Sequence, residues 1–169
     1  MSRGLSLAWD RTWQSEREET MGAAVLLRAE MRSIVTVIDY RLSLEERLLR
    51  IPEKVEVDPL VTKAHQSPTD AGTKVVDLQL FPMEGQSFDA VTYMKRQGYD
   101  AGGIDHLVAT LERFHDLVTV GRFFVAAATL IQRTCVVVAY RDHCSIRIGI
   151  RNITGHGRCG SELFWIGVR

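Results

Sequence analysis

Four runs of strand-forming residues follow one another after Gly121: RFFVAAATLI (122–131), TCVVVAY (134–140), CSIRIGI (144–150) and LFWIGV (163–168). No helical pattern separates them, and YRDHC is a tight link between two. In CSIRIGI, Ile146, Ile148 and Ile150 face one way while Ser145, Arg147 and Gly149 face the other. That alternation predicts an antiparallel sheet with one solvated face. LFWIGV has the composition of an inner strand held between neighbours, and it should bury Phe164 or Trp165.

The preceding hundred residues mix both periodicities. SIVTVIDY is β-branched and reads as a strand. Ser43 and Glu46 then stand three apart, the spacing of a capping box. Leu44, Leu48 and Leu49 give the short helix behind it an apolar side, and Pro52 ends it. EKVEVDPLVTKAHQSPTDAG alternates briefly and becomes a loop. TKVVDLQLF alternates again, with Val76, Leu78 and Leu80 on one face. Ser87 caps FDAVTYMKRQ, which Gly98 terminates. GGIDHLVATLERFHDLV sets Ile104, Leu107, Val108, Leu111 and Phe114 on one helical stripe. The pattern predicts an α+β fold over residues 31–169, two mid-chain helices packed on a mainly antiparallel sheet. Residues 1–30 differ, with Trp9 and Trp13 one helical turn apart before a charged run. They read as an N-terminal extension, either a loosely docked helix or a segment with little structure ahead of a true start at Met31.

Composition narrows the function classes. With 46% hydrophobic and 25% charged residues, the 169-residue chain is globular. Its formal net charge of zero supplies no overall attraction to nucleic acid or to an anionic membrane. No apolar run approaches the roughly 20 residues of a membrane span. MGAAVLL starts too late, at Met21, for a secretory signal, so a cytoplasmic location is expected.

Cys135, Cys144 and Cys159 are too few for a disulfide scaffold. With His143 and His156 they are zinc-ligand types, but no Cys-x-x-Cys pair exists and only His156 and Cys159 are compactly spaced. A metal protein or enzyme using the 135–159 cluster is therefore the alternative reading; no cofactor and no catalytic residue are assigned. GHGRCG lacks the strand–loop–helix setting and the Lys of a phosphate loop. His106 and His115 read as surface or boundary residues of a helix. The arginines of the last strands are more suggestive. Arg147 and Arg151 share the polar face of one strand. Tyr140, Arg141, His143, Ser145, His156 and Arg158 lie on or beside it. Together they form the expected binding surface for an acidic or hydrogen-bonding partner, a protein or a small ligand.

From Met31 onward the layout resembles a family of small bacterial α+β proteins that open with a strand and a SLEE-like helix and close on an aromatic–aliphatic–small–Val-Arg strand. The second half also resembles a formylglycine-generating-enzyme-type C-type lectin fold. FDAVTYMKRQGYDAGGIDHLVATLERF is similar to its paired helices, and TCVVVAYRD and FWIGVR to its last strands. Two signatures depart: AAAT and Leu130 stand where a Gly-Gly-Ser-Trp turn is usual, and Asp100 to Gly103 where Arg-Leu-Pro-Thr is usual. The same scaffold serves the variable proteins of diversity-generating retroelements. The resemblance therefore implies a non-enzymatic recognition protein whose residues 133–169 are diversified. That segment holds no Lys, Met, Gln or Pro, whereas the first 132 residues hold 19 of them.

Overall fold

The alternating segments assemble into one sheet in the computed structural model, which describes residues 33–65, 71–82, 87–131, 135–152 and 162–169. All of these lie in the compact unit Ser33–Arg169. The N-terminal extension expected at residues 1–30 lies outside the described residues.

The described residues form eight strands: β1 (Ile34–Asp39), β2 (Val55–Val57), β3 (Thr73–Pro82), β4 (Asp100–Ala101), β5 (Arg122–Ile131), β6 (Cys135–Asp142), β7 (Ser145–Asn152) and β8 (Glu162–Val168). Among the described residues four helices accompany them: α1 (Leu44–Leu48), α2 (Pro59–Ala64), α3 (Ser87–Arg96) and α4 (Ile104–Phe114), the last continuing into a short 3-10 turn. The sheet order is β1-β3-β8-β5-β6-β7-β2, with β4 also paired to β8. Pairing is antiparallel except for β2 with β7 and β5 with β8. The fold is mixed α and β on a mostly antiparallel sheet.

β8 lies in the middle. Residues 164–168 pair with β3, residues 162–165 run parallel to β5, and Gly167 and Val168 meet β4. Both faces of β8 are covered, so Phe164 and Trp165 are both buried, pointing to opposite sides. Trp165 packs with Phe81, Met94, Val125 and Val138 beneath α3. The alternate residues Phe164 and Ile166 join the other side, where α4 crosses β1, β5, β6 and β8. Gly167 is required where it stands: a Cβ there would lie 2.7 Å from the Phe81 ring and 3.0 Å from Tyr99. Its absence lets Phe81 and Tyr99 meet edge to face, 5.4 Å between centroids.

Local chemistry explains the helices. The capping box of α1 is formed: the Ser43 amide donates to Glu46 at 2.7 Å, and the Glu46 amide donates to the Ser43 hydroxyl at 3.2 Å. Its apolar side differs from the expected one. Leu44 is buried, but Leu49 is 86% exposed and Arg47 turns inward in its place. Residue 47 follows Leu44 by three and shares its face; residue 49 lies on the far side. Residues 59–64, expected to be loop, form α2. Asp58 accepts from the Leu60 amide at 2.8 Å, and Pro59 occupies the first helical position, where its missing N–H costs nothing. The stripe on α4 buries Ile104, Leu107, Val108 and Leu111. Residues 126–131 of β5 shift register against β6, and the Thr129 hydroxyl bridges the irregularity, accepting from the Val137 amide at 2.9 Å and donating to the Ala126 carbonyl at 2.6 Å.

Candidate functional site

The hairpin β6–β7 sets Tyr140 directly opposite Arg147. Arg151 lies four residues further along β7 and therefore on the same face. The Tyr140 ring leans across Gly149, 3.9 Å from where a Cβ would stand, and reaches Arg151, whose guanidinium carbon sits 4.6 Å from the ring centroid. Phe123 flanks the ring from β5 at 5.7 Å. Arg147 is half-exposed and holds Asp142 at 3.1 Å and Glu56 at 3.2 Å. The charge of Asp142, then that of Glu56, keeps its guanidinium more firmly protonated than usual. Arg151 is exposed and pairs with no carboxylate among the described residues. Tyr140, Arg147 and Arg151 thus form one continuous surface of an aromatic ring between two guanidinium groups.

Arg141, Ser145 and His143, also expected there, have other surroundings. Arg141 points to the opposite face, where it makes a fork to Glu53 at 2.6 and 3.0 Å and donates to the carbonyls of Val118 and His115. It ties three segments together, and its bond holds the Glu53 carboxyl below the usual range. Ser145 is buried, its hydroxyl directed to the Asp142 carbonyl at 3.4 Å. His143 begins the two-residue turn between β6 and β7, exposed, with φ of 50°. His156 and Arg158, with Cys159 and GHGRCG, lie outside the described residues. Cys144 is exposed at the turn, and Cys135 is half-buried at the other end of the hairpin. Among the described residues no group of three or more His, Cys, Asp or Glu side chains is arranged to hold a metal ion.

A second polar cluster lies on the α4 side of the sheet, built from residues far apart in sequence. Arg47 of α1 is 2% exposed and donates through Nη2 to Asp105 Oδ1, in the first turn of α4. His65, which caps the end of α2, brings its Nε2 to the same oxygen at 2.9 Å. Burial alone would raise the Asp105 carboxyl; the His65 hydrogen bond and the Arg47 charge outweigh it and hold it below the ordinary range. Next to it, His106 Nδ1 accepts the Gly103 amide at 3.0 Å. The neutral ring therefore carries its proton on Nε2 and donates it to the Tyr40 oxygen at 3.3 Å. Burial lowers the His106 imidazole and, with the Asp105 charge, raises the Tyr40 phenol.

The sequence reading missed this cluster because its members come from four segments and none forms a motif. The signal available was the inward position of Arg47, three residues after Leu44. No family model, curated protein or solved structure matches the chain.

Proposed function

We propose that the chain is a non-enzymatic recognition protein that binds an acidic polypeptide segment on the exposed Arg147–Tyr140–Arg151 face. The observation that supports this is the flanking of one aromatic ring by two guanidinium groups, over a glycine that leaves the ring room. Guanidinium groups held against an aromatic surface bind carboxylates through planar, charge-assisted hydrogen bonds, and Tyr and Arg dominate interface energetics. Among the described residues Arg151 pairs with no carboxylate, whereas Arg147 engages Asp142 and Glu56.

We rest the reading on the geometry of this face and not on the composition of residues 133–169, to which burial also contributes. Val136 to Ala139, Ile146, Ile148 and Leu163 to Ile166 are buried in interior strands, where Lys, Gln and Pro are disfavoured. Recognition on this face therefore stands on its geometry alone.

The test is fluorescence anisotropy of a labelled Glu/Asp-rich peptide with the full chain. Binding should weaken with salt, and Arg151→Ser should weaken it about tenfold, the loss of one charge-assisted hydrogen bond. Unaltered binding by Arg151→Ser and Tyr140→Ser, or none by the wild-type protein, refutes the proposal.

A further inference from the structure

The first turn of α4 is capped by an imidazole. Gly103 stands at the N-cap and has no side chain to offer the free amides behind it. The contact runs the other way: His106, three residues on, reaches back and accepts the Gly103 amide on Nδ1 at 3.0 Å. Glu or Gln usually makes this contact, through a carboxylate or amide oxygen. An imidazole makes it only while Nδ1 carries no proton. The same ring donates from Nε2 to the Tyr40 oxygen at 3.3 Å and so ties the start of α4 to the end of β1. Asp105, which holds Arg47 of α1 and His65 at the end of α2, lies in this same turn.

We propose that His106 is an acid-sensitive latch on α4: a proton taken from solvent by Nδ1 turns this atom from acceptor to donor, sets it against the Gly103 N–H and frees the first turn. Release of that turn also loosens Asp105, through which α1 and α2 are joined to α4. The imidazolium stands at the positive end of the helix dipole, which disfavours it there. Its neighbours are Tyr40 after β1, Arg47 of α1, His65 after α2 and Asp105 beside it on α4. Burial lowers the imidazole; the Asp105 charge opposes this and the Arg47 charge adds to it. Asp105 is already shared by Arg47 and His65, and the Tyr40 phenol is raised and stays neutral. On the sheet beneath α4, Phe124 of β5, Val137 of β6 and Ile166 of β8 are apolar, and Cys135 and Arg141 stand towards the two ends of that face of β6. The latch lies on the opposite side of the sheet from the Tyr140 face and does not rest on it.

Because folding lowers the imidazole, its contribution is complete above the ordinary value of 6.5 and is lost as pH falls below it. His65 gains an ion pair with Asp105 on protonation, an effect of opposite sign, so the experiment follows the turn itself rather than global stability. NMR of the isotope-labelled full chain reads two things: the ring nitrogen shifts of His106, and the protection of the Gly103 amide against hydrogen exchange, corrected for the intrinsic rate. At pH about 7.5 the ring should carry its proton on Nε2. Gly103 protection should then fall roughly tenfold by pH about 5.5, as the opened turn takes up its proton. His106→Gln keeps an acceptor that does not titrate, and its Gly103 protection should change by less than about twofold over the same range. Constant protection in the wild-type chain overturns the proposal, as does a ring proton on Nδ1 or an equal fall in His106→Gln. If that variant does not fold, the two wild-type measurements decide alone.

Discussion

Replacing Trp165 by Ala removes the largest fully buried side chain among the described residues. The indole stands opposite Phe81 on β3 and Val125 on β5, with Met94 of α3 above it. An aromatic ring of this size covers roughly 200 Å², worth about 5 kcal/mol at 25 cal/mol/Å². Partial collapse of its neighbours into the space brings the expected loss to about 3–5 kcal/mol. Domains of this class hold about 5–15 kcal/mol in all, so the variant should be marginal. Urea unfolding followed by far-UV circular dichroism reads the effect. With a slope of about 2 kcal/mol per molar, the midpoint should fall by roughly 1.5–2.5 M. Trp165→Phe keeps a ring against Phe81 and should lose less than half as much. A Trp165→Ala midpoint within about 0.5 M of wild type would mean that β8 is not gripped on both faces, and the sheet order drawn through it would be wrong.

Asp105→Ala strands the Arg47 guanidinium in the interior and should cost about 3–5 kcal/mol in the same assay; a loss under about 1 kcal/mol would show the pair is solvated. Asp105 and Glu53 are both held below their ordinary carboxylate values. The stability they contribute is therefore complete above the unfolded values of 3.8 and 4.5 and is lost as pH falls through the lower folded ones. Wild-type stability should decline below pH about 4.5, and Asp105→Asn should flatten the acid end of that decline. Glu112, raised by burial, works in the opposite sense, losing stability as pH rises past its unfolded value. The Asp39 carboxyl, held by the Arg41 side chain and amide, should titrate near 2 by NMR; an ordinary value near 4 would show that this pair is not formed. His143→Val forces a β-branched residue to φ of 50° and should destabilise by about 1–2 kcal/mol, whereas His143→Gly should be neutral or stabilising.

The sheet was legible where a period of two ran, in TKVVDLQLF and CSIRIGI, because alternation ties burial directly to register, and in SIVTVIDY through its β-branched composition. The capping box and the α4 stripe were legible for the same reason: one spacing, one geometry. The helix α2 was missed although Asp58 and Pro59 marked its start, since six residues carry too little apolar period to outweigh a following Pro/Ser/Asp/Gly stretch. Strand alternation placed Arg147 and Arg151 together, and Tyr140 joined them through hairpin register. Alternation also puts Arg141 on the other side of the sheet from Tyr140, so its departure from the expected surface could have been read from parity alone. The Arg47–Asp105–His65 contacts could not. They depend on how α1 and α2 come to rest against α4, which no local pattern encodes.

The central place of β8 has a consequence for how the domain comes into being. Without residues 162–168, β3 with β1 forms one small sheet, and β5, β6, β7 and β2 form another. Each would then present a long open edge, β3 on one side and β5 on the other. Such edges recruit strands from other molecules. The seam closes only when β8 slots between partners some 85 and 40 residues behind it, contacts of a separation that slows folding. During synthesis the chain must carry both open edges until those residues emerge. Aggregation should therefore be decided in that interval, before the finished fold exists to resist it.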